Sequence, residues 1–133
     1  MTRSIGVDLV QISEMKRLIN LFGDTFINRT FTENEVCESR RSPDIAAYLS
    51  GRFAAKEAVF KAVAHFTEQK GFDFRIVETL SEADGYPMIH VSEKLQALLD
   101  EAGIGTLLVS LSTDGDYAIA TVLAEGVVVP AFR

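Results

Sequence analysis

The sequence predicts an α+β fold in which a mostly antiparallel sheet packs with one long helix and several shorter ones. Three observations predict it. An alanine-rich stretch from residue 44 to about residue 66 runs without proline and favours one long helix. Alternating apolar and polar residues mark strands around 3–10, 72–91 and 106–125. The last two of these regions each contain a turn, Ala83-Asp84-Gly85-Tyr86-Pro87 and Thr113-Asp114-Gly115-Asp116, and so read as hairpins. Helical and alternating segments do not succeed one another regularly, which argues against a doubly wound parallel sheet, and no internal repeat is present.

The elements follow in order. Ile5, Val7 and Leu9 alternate within residues 3–10, so this strand is predicted to turn its odd positions to the core and Asp8 to the opposite face. Met15, Leu18 and Ile19 recur at helical spacing over 13–21, a short helix that stops before Gly23. Thr32 and Glu35 stand three apart, the spacing of a capping box that opens another helix. Ser42-Pro43-Asp44 then breaks the chain ahead of the long helix. Phe72, Phe74, Ile76 and Thr79 give one arm of the first hairpin and residues 88–91 the other. Ser92-Glu93 opens a helix whose apolar set, Leu95, Leu98 and Leu99, is closed by a capping Gly103. Residues 106–112 and 117–125 form the last hairpin, and residues 127–133 follow no pattern.

A chain of 133 residues with 47% hydrophobic content buries one core, so a single domain over 1–133 is expected. The lone Cys37 has no disulfide partner, and with His65 and His90 it shows no zinc spacing. No basic start precedes an apolar stretch, and no apolar run is long enough to span a bilayer. A cytoplasmic protein without a membrane partner is expected. A net charge of −6 argues against broad nucleic-acid binding, which needs many phosphate-neutralising cations on one surface.

The chemistry concentrates in Gly51-Arg52-Phe53-Ala54-Ala55-Lys56-Glu57-Ala58-Val59-Phe60-Lys61-Ala62. On a helix, Glu57 and Lys61 share one row and Arg52 and Lys56 the adjacent row. Two readings fit this sector. One is a solvated face with a surface ion pair. The other is a diphosphate and metal site in which the cations neutralise phosphate oxygens and Glu57, with Asp8 as a distant acidic partner, holds a hard cation such as Mg2+.

That helix segment, together with Gly6-Val7-Asp8-Leu9-Val10, Phe31-Thr32-Glu33-Asn34-Glu35, Asp84-Gly85-Tyr86-Pro87, Val109-Ser110-Leu111-Ser112 and Asp116-Tyr117-Ala118-Ile119-Ala120, resembles the holo-acyl-carrier-protein synthase family, the small 4'-phosphopantetheinyl transferases. Order, spacing and length agree over most of the chain. The resemblance implies transfer of the 4'-phosphopantetheine arm of coenzyme A to a serine of an acyl carrier protein, dependent on Mg2+ and releasing adenosine 3',5'-bisphosphate. It implies a place in lipid metabolism, with fatty-acid biosynthesis as one setting and a polyketide or other carrier left open. It also implies a homotrimer with coenzyme A in clefts between subunits.

On the same basis Asp8 and Glu57 are the metal ligands, and Glu57 and Lys61 are the catalytic residues. Arg52, Lys56, Lys61, Pro87, Ser112 and Thr113 are the expected contacts to coenzyme A, and Met15, Lys16, Arg17, Leu18 and Arg29 the expected carrier surface. The serine's base is left open between Glu57 and a metal-bound water. Three departures accompany the match: Ser112-Thr113 stands where relatives carry Ser-His, Ala64-His65-Phe66-Thr67-Glu68 replaces a glycine-rich segment, and Glu14 sits near a position where relatives place arginine. They leave an alternative, a non-catalytic relative that binds coenzyme A or a carrier protein as a scaffold.

Overall fold

The structure, a computed structural model, describes residues 1–68, 71 and 73–128. Its elements are β1 (Thr2–Gln11), α1 (Ile12–Thr30), α2 (Glu33–Ser39), α3 (Ile45–Ala64), a 3-10 turn (Phe74–Ile76), β2 (Val77–Ser81), β3 (Pro87–Val91), α4 (Glu93–Ala102), β4 (Ile104–Asp114) and β5 (Tyr117–Gly126). Strands β1, β5 and β4 form one antiparallel sheet in that order, and β2 pairs with β3 as a separate hairpin. The chain therefore has the predicted α+β fold with antiparallel sheets.

Helix α3 organises the rest. Asp44 caps it, accepting a hydrogen bond from the Ala47 N–H at 3.1 Å. Small side chains let neighbours approach it from several directions, and Ala54, Ala55, Ala58, Val59 and Ala62 are fully buried. A helix so covered carries apolar residues all round rather than on one stripe. The three-stranded sheet, the β2–β3 hairpin, α1 and α2 all pack against it.

The inner face of the sheet is lined by the even positions of β1, contrary to the expected orientation. Gly6 is buried and Asp8 and Val10 are half-buried, whereas Ile5, Val7 and Leu9 are 64%, 49% and 59% exposed. The physical reason is the closeness of α3: a methyl at Gly6 would overlap the Ala58 carbonyl oxygen. The facing strand β5 meets α3 with Ala118, Ala120, Val122 and Ala124, all fully buried. Small residues face the helix, and the larger apolar side chains of β1 are left on the outer face, where Ile5 pairs with Leu123, Leu9 with Ile119 and Leu123 with Leu108.

Gly23 breaks α1 where the sequence places the stop, at φ 54° and ψ −136°, a conformation that glycine alone adopts readily. The helix then resumes to Thr30, an arm that periodicity did not predict. Its Phe26 and Ile27 pack against the buried cluster of Met15, Phe31 and Leu49. The capping box forms: Thr32 Oγ1 accepts from the Glu35 N–H at 3.2 Å, and Glu35 Oε1 accepts from the Thr32 N–H at 3.0 Å. Phe74 and Ile76 lie in the 3-10 turn rather than a strand, because the Asp73 carboxylate accepts from the Arg75 N–H at 2.9 Å and curls the chain first. Phe72 and residues 129–133 of the tail lie outside the described residues. Helix α4 begins at the Ser92 cap and ends on Gly103, as its pattern predicts.

Candidate functional site

The contact through Gly6 lays β1 along α3, and the Ser4 hydroxyl reinforces it by donating to the Ala62 carbonyl at 2.7 Å. Two residues on, Asp8 meets the outward turn of the helix. Lys61 Nζ donates to Asp8 Oδ1 at 3.1 Å and to the Val7 carbonyl at 2.9 Å. Glu57 stands one helical turn before Lys61. Among the described residues no group donates a hydrogen bond to the Glu57 carboxylate and none forms an ion pair with it. Burial, then the charge of Asp8, pushes the Glu57 carboxyl above its ordinary range, against the opposing pull of Lys61.

Asp8 and Glu57 border a hollow between β1, α1 and α3, lined also by Gln11, Met15, Leu18, Phe53 and Glu14, whose two carboxylate oxygens are taken by Arg17. Among the described residues no cluster of three or more His, Cys, Asp or Glu is present. Two carboxylates with no third protein ligand fit a magnesium ion, which takes oxygen donors and completes its shell with water and substrate phosphates. They do not fit a closed zinc site, which needs nitrogen or sulfur ligands.

A second group forms nearer the start of the helix. Arg52, Ser112 and Thr113 line one groove with Ser42, Tyr48 and Gly51. Arg52 is buried at 7% exposure, with Nε donating to the Thr79 carbonyl at 3.2 Å and Nη2 to Ser81 Oγ at 2.9 Å. Its guanidinium carbon lies 4.0 Å from the centre of the Tyr48 ring. Pro87 pairs across the β2–β3 hairpin with Ser81, the residue whose hydroxyl accepts from Arg52. Lys61 lies nine positions after Arg52, about 13.5 Å along the helix axis.

Lys56 corrects an expectation. The resemblance puts it with the phosphate-binding cations, but its side chain is fully buried and its ammonium is saturated by Glu35 Oε1 at 2.8 Å, the Phe74 carbonyl at 2.9 Å and the Val77 carbonyl. An ammonium has three donors, so none is left for a ligand. Glu35 is equally buried, its second oxygen accepting from the Thr79 N–H at 2.9 Å. Burial raises the Glu35 carboxyl and lowers the Lys56 ammonium, each opposed by the charge of the other. The pair ties α2, α3 and β2 together.

The expected carrier surface divides similarly. Met15, at 2% exposure, belongs to the core because its side of α1 packs on Phe31 and Leu49. Leu18 is half-buried at the rim of the Asp8–Glu57 hollow, while Lys16 and Arg29 are exposed. Arg17 is exposed and bonded to Glu14 through two hydrogen bonds of 3.0 and 2.6 Å.

Sequence reasoning missed Glu35 as the partner of Lys56, and it missed Glu38 and Tyr48. The capping box gave Glu35 a role that concealed its second one. Glu38 and Tyr48 carry no local signal, since their partners lie on other elements.

Comparison with known proteins places the chain among relatives. Residues 4–122 match the model of the 4'-phosphopantetheinyl transferase superfamily. A holo-[acyl-carrier-protein] synthase of Protochlamydia amoebophila is 40% identical over 122 residues, covering 90% of this chain and 95% of that protein. The holo-[acyl-carrier-protein] synthase structure from Neisseria meningitidis superposes with a TM-score of 0.84 at 36% identity, covering 94% of this chain and 99% of that one. The ACPS–CoA complex of Chronobacterium ammoniagenes gives a TM-score of 0.80 at 31% identity over 92% of this chain and 96% of that one.

Proposed function

The chain belongs to the 4'-phosphopantetheinyl transferase superfamily, among its holo-acyl-carrier-protein synthases, and on that premise we propose that it transfers 4'-phosphopantetheine from coenzyme A to a serine of an apo acyl carrier protein, with Mg2+ as cofactor. The observation that carries the reading is that Asp8 and Glu57, from two elements, border one hollow while Lys61 bonds to Asp8. In the proposed reaction the carrier serine oxygen bonds to the β-phosphorus of coenzyme A. The bond from that phosphorus to the bridging diphosphate oxygen breaks, and adenosine 3',5'-bisphosphate leaves.

Asp8 and Glu57 would hold the magnesium ion, which when bound supplies positive charge to the phosphate oxygens. Lys61, with half its side chain exposed, is free to exchange Asp8 for a phosphate oxygen and neutralise charge that grows during transfer. Glu57 borders the hollow from which it could take the serine proton. Ser112 and Thr113 offer hydroxyl donors beside Arg52 for a second phosphate.

Two observations support association between copies, and the family resemblance makes that assembly a homotrimer with coenzyme A between subunits. The Arg52 group and the Lys61 group lie apart along one helix, as expected if each completes a site with a neighbouring copy. The outer sheet face carries Ile5, Val7, Leu9, Leu108 and Ile119, an apolar surface that association would cover. Residues 1–133 would act as one domain, docking an acidic carrier against Leu18, Lys16, Arg17 and Arg29. No helix among the described residues is long and apolar enough to cross a membrane, and we assign the activity to the cytoplasm and to fatty-acid biosynthesis.

The test is the intact mass of an apo acyl carrier protein incubated with this protein, coenzyme A and Mg2+, beside a chelator control. A metal-dependent gain of one phosphopantetheine is expected, with Asp8→Ala folded and inactive. No gain with several carriers would favour the scaffold reading, and full activity of Asp8→Ala would remove it from the metal site.

A further inference from the structure

We propose that Tyr48 is a positioning residue that tethers the Glu38 carboxylate away from Arg52 and so keeps Arg52 available to a phosphate of coenzyme A. The inference rests on the transferase reading for the ligand, and its own content is the role of two residues to which nothing above gives a function. Arg52 spends Nε and Nη2 on Thr79 and Ser81, while Nη1 donates to no group among the described residues. The side chain lines the groove of Ser112 and Thr113. Its competitor for an anion is internal. Glu38 Oε2 lies 3.9 Å from Arg52 Nη2, close enough to attract and too far to hydrogen-bond.

What keeps that distance open is the occupation of both Glu38 oxygens. Oε2 accepts from the Tyr48 hydroxyl at 2.6 Å, and Oε1 accepts from the Ser81 N–H at 2.9 Å. The same tyrosine supports the guanidinium with its ring. Without the hydroxyl, Oε2 is released and Arg52 Nη2 is the charged donor beside it. Carboxylate and guanidinium close readily into a short paired geometry, which would neutralise the cation that the phosphate needs. The negative charge of Glu38 is thus a cost to anion binding that the hydroxyl limits.

Three variants of the full chain test this by calorimetric titration with coenzyme A, alongside initial rates of transfer. Tyr48→Phe retains the ring under Arg52 and loses only the tether, so the Kd and KM for coenzyme A are expected to rise at least about fivefold with little change in kcat. Glu38→Gln keeps an acceptor for Tyr48 and removes the competing charge, so binding is expected to be as tight as wild type or tighter. In the double variant the released group is neutral, and binding is expected within about twofold of Glu38→Gln alone. A merely structural hydrogen bond would not show this rescue. Unchanged binding in Tyr48→Phe, or a double variant as weak as Tyr48→Phe, would overturn the proposal and leave the transferase reading intact. A folded wild type that does not bind coenzyme A would overturn both.

Discussion

At the scale of single residues, a cation's spacing on a helix says little about whether solvent or protein receives it. Lys56 lies one turn beyond Arg52 and one residue before Glu57, yet it is sealed against Glu35. Removing one member strands the other as a buried charge, so Glu35→Ala is expected to cost about 3–5 kcal/mol in urea unfolding. Glu35→Leu combined with Lys56→Met should recover only part of that loss, because the Thr32 and Thr79 N–H groups and the Phe74 and Val77 carbonyls then lose their partners. An unchanged midpoint in Glu35→Ala would show that the pair is not held as described. Glu38 gives a pH signature. Burial works against its ionised form, but the Tyr48 hydroxyl, Ser81 and Arg52 outweigh it and hold the carboxyl below its ordinary value of 4.5. The folded pKa lies under the unfolded one, so this contribution is complete above about 4.5 and is lost as pH falls through the folded value. Wild type should therefore lose stability more steeply than Glu38→Gln below about pH 4.5, measured by thermal melting across a pH series.

At the scale of elements, the candidate metal site depends on how closely one strand approaches one helix. Gly6 permits that approach, and Asp8 follows it on the same face. Gly6→Ala must push β1 away from α3, because the obstruction is the Ala58 carbonyl rather than a side chain that could swing aside. The expected cost is about 1–3 kcal/mol of stability, with a larger proportional loss of transfer than of folded protein as Asp8 parts from Glu57. Chemical denaturation and activity at matched folded fraction separate the two effects. Full activity would show that the spacing of β1 and α3 is not what sets the site.

At the scale of the whole molecule, the three-stranded sheet turns its small residues inward and its larger apolar ones outward. Ile5 is 64% exposed in the single chain, and a charge there is expected to leave that chain folded. If the outer face joins copies, Ile5→Asp should lower the assembly mass in light scattering and make activity depend on protein concentration. A variant with wild-type mass would show that this face is not the interface.

The sequence determined most of the elements because their signals are local, though not the second arm of α1 or the 3-10 turn at Phe74–Ile76. The capping box at Thr32 and Glu35, the uninterrupted alanine-rich helix, the glycine at the α1 break and the Asp-Gly turn before β5 each depend on residues a few positions apart. It also placed Asp8, Glu57 and Lys61 in a common site through a resemblance carried by two short motifs. Tertiary structure alone decided which face of β1 is buried, since alternation fixes two faces and the neighbour's proximity chooses between them. It likewise decided that Lys56 is a buried strut and that Tyr48 and Glu38 attend Arg52. Those roles come from partners on other elements, brought near only when α3 is enclosed by the sheet, the hairpin and the first two helices.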